Sequence, residues 1–340
     1  MTVFEEEIRS QGDVLRRRSD SGAKQAQRAA ASWEGITHAL VGARGSSDNA
    51  ALFFQYLAGK ELGLLVALAT PSLYEGECTI NFAGAGVLVI SQSGRSPGIV
   101  EILQHARSQH RPCAALTNDV TSPIALNCET LIDMAAGVER AVASTKTFSS
   151  SWHALAQLVE ALKGSELEGL DELPDMVDRM TSWALSTSLP MSLLNVAKGL
   201  TVVGRGVGSA VAAEISLKIR EVSGVRSEAY AASDFAHGPI GAEGAGSTLL
   251  LVVTDEMTNE LCELMLDGCR GTGMQTIMLR ATNRDSLKCD AEILIDESLP
   301  NWSLGLAQVI VGQVLALRLG ELRGRPIDTS PGLSKVTLDV

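Results

Sequence analysis

No two of the six cysteines stand at C-x-x-C spacing, which removes a zinc site and a dithiol redox motif from consideration. Cys78, Cys113, Cys128, Cys262, Cys269 and Cys289 are scattered through apolar surroundings and read as small core residues. Runs of lysine and arginine are also missing. With 40 acidic residues against 28 basic ones the net charge is −12, which argues against nucleic acid or an anionic membrane surface as a partner. No uninterrupted apolar run reaches the ~20 residues of a membrane span. The acidic start, Met1 to Ser10, lacks the apolar core of a signal peptide, so the chain reads as cytoplasmic. Aromatic residues make up 4% and histidines number five, so each histidine beside an acid or a turn merits individual attention.

What is abundant is glycine, alanine, valine, leucine and serine, the material of close-packed α/β layers. At 340 residues, 45% of them hydrophobic, the chain can bury two cores of ordinary domain size. Residues 5–30 read as a helix. Ile36–Val41 reads as a first strand, ending in Gly42-Ala43-Arg44-Gly45-Ser46-Ser47 ahead of a helix over Asp48–Gly59. Strands follow at Leu64–Leu68, Val87–Ile90, Ala114–Thr117 and Thr130–Met134, and a helix from about Lys146 to Leu162. Residues 163–198 read as helical joining material, after which Leu200–Val203 starts the pattern again.

The restart is an internal repeat. Gly45 and Gly206 each follow the first strand of their half. Gly63 and Gly224 each lie eighteen residues further on, and Ser72 and Ser233 each twenty-seven, with Tyr74 or Phe235 two places later.

The most distinctive stretch is Ser91-Gln92-Ser93-Gly94-Arg95-Ser96-Pro97, between the strand Val87–Ile90 and a helix predicted to carry Pro97 in its first turn. Unpaired backbone N–H groups and the helix dipole favour an anion at such a junction. The hydroxyls of Ser91, Ser93 and Ser96 add neutral donors, a composition suited to a phosphate. Serine and glycine are also ordinary turn residues, so the loop alone leaves both readings open. In open parallel sheets ligands sit beyond the carboxyl ends of the strands, where Ser47 and the 91–96 loop both belong. The run Gly137 to Lys146 promises a third set of donors at the same edge.

The second half differs where chemistry would sit. Its strand Thr248–Val253 runs into Thr254-Asp255-Glu256, two carboxylates that would repel a phosphate. Gly204-Arg205-Gly206-Val207-Gly208, with Glu228 as a ribose-binding acid, imitates a dinucleotide motif without its spacing; close helix–strand packing explains the glycines more simply. On the helix Ala210–Val222, Glu214, Lys218 and Glu221 share a face at i,i+4 and i,i+3 spacing. They form either a solvated stripe of ion pairs or a buried cluster, and the otherwise apolar helix bears on the choice. His237 precedes Gly238-Pro239 close to Asp234, as a turn histidine or a proton carrier. The tail Leu333-Ser334-Lys335-Val336-Thr337-Leu338 is too apolar to be free, which would fix Lys335 as well.

Taken together, Gly45-Ser46-Ser47, Ser91-Gln92-Ser93-Gly94, Val142-Ala143-Ser144-Thr145-Lys146-Thr147-Phe148, Lys218-Ile219-Arg220-Glu221, Glu228-Ala229-Tyr230-Ala231-Ala232, His237-Gly238-Pro239 and Leu333-Ser334-Lys335 resemble, over nearly the whole chain, the isomerase portion of glucosamine-6-phosphate synthase, which holds two sugar-isomerase (SIS) domains. The resemblance implies an α/β fold of two tandem SIS domains, each a doubly wound parallel sheet flanked by helices in a flavodoxin-like three-layer αβα arrangement. The expected organisation is a helical segment at 1–30, domains at 31–165 and 199–325, a helical linker at 166–198 and a closing tail at 326–340.

By the same resemblance, Ser47, Ser91, Gln92, Ser93, Ser96, Val142 and Ser144 surround the sugar phosphate. Glu221 is the base that moves a proton between C1 and C2, with Glu214 and Lys218 holding it. His237 opens the sugar ring from the partner subunit of a homodimer, and Lys335 acts near C2 and in ring opening. No metal and no cofactor is implied. Met1 leads directly into the linking helix with no nucleophilic cysteine ahead of it, so release of ammonia from glutamine by that route is not expected. Arg95 replaces the acid of the synthase, and Ser-Gly-Arg-Ser-Pro is similar to stand-alone SIS proteins that deaminate aminosugar phosphates; Arg95 itself would touch phosphate or pair with Glu101. The implied activity is a phosphosugar isomerase/deaminase, first glucosamine-6-phosphate deaminase giving fructose 6-phosphate and ammonia. A deglycase of phosphorylated fructosamines and a simple aldose–ketose isomerase are the alternatives. A non-catalytic sugar-phosphate sensor is a reading of another class, set against the retention of Glu221, His237 and Lys335 together.

Overall fold

The strands of each half are short and continuously apolar, the pattern of parallel sheets covered on both faces. In the computed structural model, which describes residues 1–195, 198–254, 256–296, 299–330, 332 and 335, they form two parallel five-stranded sheets. The first contains β1 (His38–Gly42), β2 (Leu65–Leu68), β3 (Ala85–Ser91), β4 (Cys113–Thr117) and β5 (Thr130–Asp133), in the order β2-β1-β3-β4-β5. The second contains β6 (Gly199–Gly204), β7 (Ser227–Ala231), β8 (Ser247–Val252), β9 (Gln275–Ala281) and β10 (Ala291–Ile295), in the order β7-β6-β8-β9-β10 when read from the corresponding edge. The two orders are the same topology, 2-1-3-4-5, in which the chain reverses its direction of winding between the first and third strands. Every residue of β3, β4 and β8 is buried.

The repeat glycines occupy matching places. Gly45 and Gly206 precede the first helix of their halves at φ 61°, ψ −132° and φ 59°, ψ −130°, a region that side chains other than hydrogen avoid. Gly63 and Gly224 both end a helical segment in the left-handed conformation. Tyr74 and Phe235 are buried in their respective cores.

The chain forms two compact units, neither continuous in sequence. One gathers Ser10–Glu139, Ser144–Pro174 and Lys335; the other gathers Met1–Arg9, Arg140–Ala143 and Asp175–Gly332. The turn Arg140-Ala141-Val142-Ala143 joins the latter because Glu7 accepts the amide of Arg140 at 2.6 Å and the carbonyl of Asp328 accepts that of Val142 at 3.1 Å. Asp328 in turn accepts the amides of Val3 and Phe4 at 3.1 and 2.8 Å.

Several boundaries differ from the sequence expectation for local reasons. The helix after the serine loop is Ile99–Ser108, not one that includes Pro97, because Gly98 at φ 74° breaks the path just before it. Beyond Lys163, the stretch to 198 is helical only at Leu173–Ser186 and Met191–Leu194 among the described residues, since Gly164 ends the preceding helix in the left-handed conformation. The helix Asn301–Leu322 has the length and hydropathy of a membrane span, although Ser303, Gln308 and Gln313 interrupt its apolar run; 94% of its apolar window is buried inside the protein. Asp255, Leu333, Ser334 and Val336 to Val340 lie outside the described residues.

All six cysteines are free thiols; Cys113, Cys262 and Cys269 are buried. Burial pushes the Cys262 and Cys269 thiols up to about 11, which keeps them protonated and inert.

The helix Lys146–Lys163 packs a polar seam against the helix Gln11–Ser32, and two of its groups are buried cations or near-cations. Burial lowers the Arg18 guanidinium to about 10 against the raising effect of Asp133, and Arg18 donates to Gln157 Oε1 at 2.9 Å. Burial, with the charge of Arg18 adding to it, drives His153 well below its ordinary 6.5. Folding therefore keeps His153 neutral while the unfolded chain protonates it. The stability this contributes is complete above pH 6.5 and is lost as pH falls from 6.5 toward the folded value. In urea melts at about pH 7.5 and about pH 5.5, His153→Gln should lose less stability on acidification than wild type. Equal losses would assign the acid sensitivity elsewhere.

Candidate active site

At the carboxyl ends of β1 and β3, where the winding direction reverses, a cavity of about 270 Å³ opens. It is lined by Ser46, Ser47 and Arg44 from the β1 turn, by Ser91, Gln92, Ser93 and Ser96 from the β3 turn, and by Ser144 and Lys335. Six of the predicted phosphate residues, Ser47, Ser91, Gln92, Ser93, Ser96 and Ser144, are thus brought together, and Lys335 joins them. Val142 is not among the lining residues.

The local chemistry fits an anion. The helix Ser46–Leu62 begins at Gly45 with no side-chain cap, and Gly45, Ser46 and Ser47 line the cavity, which places the positive end of the helix dipole there. The β3 turn is held in shape by its own serines. Ser91 Oγ and Ser96 Oγ lie 3.1 Å apart, Ser91 Oγ accepts the amide of Gly94 at 3.1 Å, and Ser93 Oγ accepts that of Arg95 at 3.3 Å. Gly94 is required twice over. Its φ is 64°, and a Cβ there would lie 2.0 Å from Ser122 Oγ.

Two expectations are corrected. Arg95 pairs with Asp119 at 2.9 Å, not with Glu101, and does not line the cavity; the turn carries its side chain toward the loop after β4. The lining is mostly neutral, with Arg44 and Lys335 added, each with a carboxylate partner: Arg44 with Glu75 at 3.1 Å and Lys335 with Glu139 at 2.6 Å. The third set of donors is only partly available, since the amides of Thr145 and Thr147 at the start of the helix Lys146–Lys163 both donate to Glu139 at 3.0 Å. Ser144 alone of that junction lines the cavity.

Glu139 was not singled out from sequence. Its carboxylate is fully buried and also accepts from Thr147 Oγ1 at 2.7 Å. Burial pushes its pKa up, but the Lys335 ammonium and the hydrogen bonds from Lys335 and Thr147 outweigh this and hold it below the ordinary 4.5.

In the other unit, the helix Val207–Lys218 passes into a wider π turn, Ile219–Ser223, which Gly224 terminates. Such turns insert a residue into the helical path and re-aim the side chains they carry. Glu221 lies in this turn, hydrogen-bonded and ion-paired to Lys218; Glu214 lies 3.5 Å from the same ammonium. The side chains of Lys218 and Glu214 are 1% and 0% exposed, which overturns the solvated-stripe alternative; Glu221, at 19%, is the member that meets solvent. His237 ends the short helix Ala232–Ala236 with its imidazole exposed, its amide donating to the carbonyls of Ser233 and Asp234 at 3.2 Å.

The SIS domain family matches residues 35–161 and 193–318, one match for each sheet. The chain belongs to the SIS family. Its SIS domains are the two αβα units built on the parallel sheets above.

The glutamine–fructose-6-phosphate aminotransferase (isomerizing) of Sulfurisphaera tokodaii is 29% identical over 302 residues, 87% of this chain and 49% of the relative. That of Mycolicibacterium paratuberculosis is 30% identical over 269 residues, 73% of this chain and 42% of the relative. The chain thus spans about half the length of the curated relatives it matches. Among solved structures, one from Silicibacter pomeroyi provisionally named a phosphosugar isomerase superposes with a TM-score of 0.83 at 26% identity, covering 96% of this chain and 99% of that one. Glucosamine-6-phosphate deaminase from Thermotoga maritima shares the fold with a TM-score of 0.76 at 19% identity, covering 98% and 99%.

The second SIS domain lacks a serine loop, and its equivalent turn is filled from within. A Cβ at Gly206 would lie 2.7 Å from Cγ of Glu256, which also accepts a hydrogen bond from Asn301. A carboxylate therefore lies over the turn that in the first domain faces the cavity, a contact that also speaks against the dinucleotide alternative. Glu228 accepts a hydrogen bond from the hydroxyl of Tyr230 at 2.5 Å instead.

Proposed function

We propose that the chain binds a phosphorylated sugar by its phosphate in the serine-lined cavity and shuttles a proton between C1 and C2 of the open-chain form. The preferred reaction is conversion of glucosamine 6-phosphate and water to fructose 6-phosphate and ammonia. The observation that supports this most is the cavity itself: seven side chains with neutral polar groups and the start of a helix, at the switch point of a doubly wound sheet. Its size and chemistry suit one phosphate with part of a small sugar.

An open-chain 2-aminoaldose has an acidic C2–H beside its C1 carbonyl. In this reading Glu221 takes that proton and delivers one to C1, while O1 becomes a hydroxyl and C2=N an imine. Water adds to the imine carbon and ammonia leaves, giving the 2-ketose. Lys218, ion-paired to Glu221, holds it aimed from the π turn. His237 serves ring opening across a homodimer contact, and Lys335 acts beside the sugar. Deamination is preferred to isomerisation alone because of the Ser93-Gly94-Arg95-Ser96-Pro97 run, and because the relatives matched at 29–30% identity act, by name, on fructose 6-phosphate and an amino donor.

Proton NMR in D₂O tests the reading across a panel of phosphosugars. Deuterium entering C1 of the product together with a fructose 6-phosphate spectrum is expected from glucosamine 6-phosphate. Exchange with fructose 6-phosphate but no ammonia would make the chain an isomerase. The absence of any exchange with amino, keto or fructosamine phosphates would refute the proton shuttle.

The phosphate assignment has its own test. A hydrogen bond to a charged group contributes about 1.5–3 kcal/mol. Ser93→Ala should therefore weaken glucosamine 6-phosphate binding by about tenfold or more in calorimetry, with little effect on unphosphorylated glucosamine. Unchanged affinity for the phosphosugar would move the phosphate out of the cavity.

A further inference from the structure

Glu139 sits where two separate needs meet. Its Oε1 accepts the amides of Thr145 and Thr147, fixing the first turn of the helix Lys146–Lys163 next to Ser144, which lines the cavity. Its Oε2 accepts Thr147 Oγ1 at 2.7 Å and Lys335 Nζ at 2.6 Å. The carboxylate side chain is 0% exposed and that of Lys335 22%. A carboxylate removed from water needs its lone pairs filled and its charge balanced. The helix start and the threonine do the first. Among the described residues, Lys335 is the one charged group that bonds this carboxylate. The same lysine lines the cavity.

We propose that Glu139 is a positioning residue: a buried anchor that draws Lys335 into the wall of the phosphosugar cavity and couples the seat of that lysine to the Ser144 turn. The inference rests on the phosphosugar reading of the cavity for its functional meaning, but the anchor can be tested without substrate. Lys335 lies 196 residues from Glu139 in sequence, and a single long side chain so far along the chain would otherwise sample many rotamers. With the pair formed, the lysine is held before ligand arrives, and the carboxylate that would repel a phosphate is neutralised.

The test is carboxypeptidase digestion of the full chain, followed by intact mass. Wild type should stall at Lys335. Glu139→Gln keeps an acceptor for the helix amides but removes the charge. It should be digested past Lys335 about tenfold faster or more, because local opening replaces a fixed pair. Glu139→Asp, with the charge retained, should restore most of the stall. Trypsin cleavage after Lys163, at the opposite end of the same helix, should not change, which separates release of the lysine from general unfolding. Lys335→Met leaves the contacts of Glu139 with the helix in place and should be digested like Glu139→Gln. The double variant should be digested no faster than either single one, since both changes remove the same interaction. If Glu139→Gln does not fold, Lys335→Met alone decides. Equal stalling in wild type and in these variants would overturn the anchor. Failure of the deaminase reading would instead show in the turnover assays and leave the digestion pattern intact.

Discussion

Glutamine in place of Glu221 lowers kcat for aminosugar phosphate turnover by about 10²–10⁴-fold, the contribution of a positioned general base, while phosphosugar binding persists. The substitution preserves volume and can still accept a hydrogen bond from Lys218, so the π turn should keep its shape. The loss is therefore chemical. The proposed phosphate donors lie on other residues, Ser47, Ser91, Ser93, Ser96 and Ser144, which line the cavity and which the change does not touch. Calorimetry with glucosamine 6-phosphate beside a steady-state assay separates the two effects. Turnover within a fewfold of wild type would remove Glu221 from the reaction; loss of binding would mean that it acts on the ground state.

Methionine in place of Lys218 should cost about 3–5 kcal/mol of stability, the range seen when one partner of a buried ion pair is removed. Lys218 is 1% exposed and lies between two carboxylates, one of them, Glu214, fully buried at 3.5 Å. Without the ammonium, the buried Glu214 loses the counter-charge at 3.5 Å, and Glu221 loses its tether. Urea midpoints would show the loss. A Glu214→Gln/Lys218→Met pair should recover part of it, because the buried carboxylate is then gone as well. If Lys218→Met alone is as stable as wild type, the cluster is not the buried, charge-balanced unit that its geometry describes.

The sequence revealed features that depend on local geometry or on repetition. Glycines at matching offsets marked the repeat, because Gly45 and Gly206 must both adopt backbone angles closed to other residues. The serine loop announced the cavity because strand, turn and helix start are contiguous. What escaped is what folding brings from afar or bends off the regular path. Glu139 reads as one acid in a run to a helix, and its value appears only when Lys335 arrives from the far end of the chain. Arg44 joined the lining unannounced, and the carboxylate partners of Arg44 and Lys335, Glu75 and Glu139, come from distant positions in the sequence. Arg95 found Asp119 and not Glu101, since the turn at Gly94 and Gly98 directs it away from the following helix. The π turn under Glu221 is invisible to a periodicity of 3.6, although it decides where that carboxylate points.

The most direct measurement is ammonia release by the purified protein supplied with glucosamine 6-phosphate, with Glu221→Gln as the control. Release matched by fructose 6-phosphate mole for mole, and lost in the variant, is the expected result. No release from glucosamine 6-phosphate under conditions in which the compound binds the serine cavity would contradict the account.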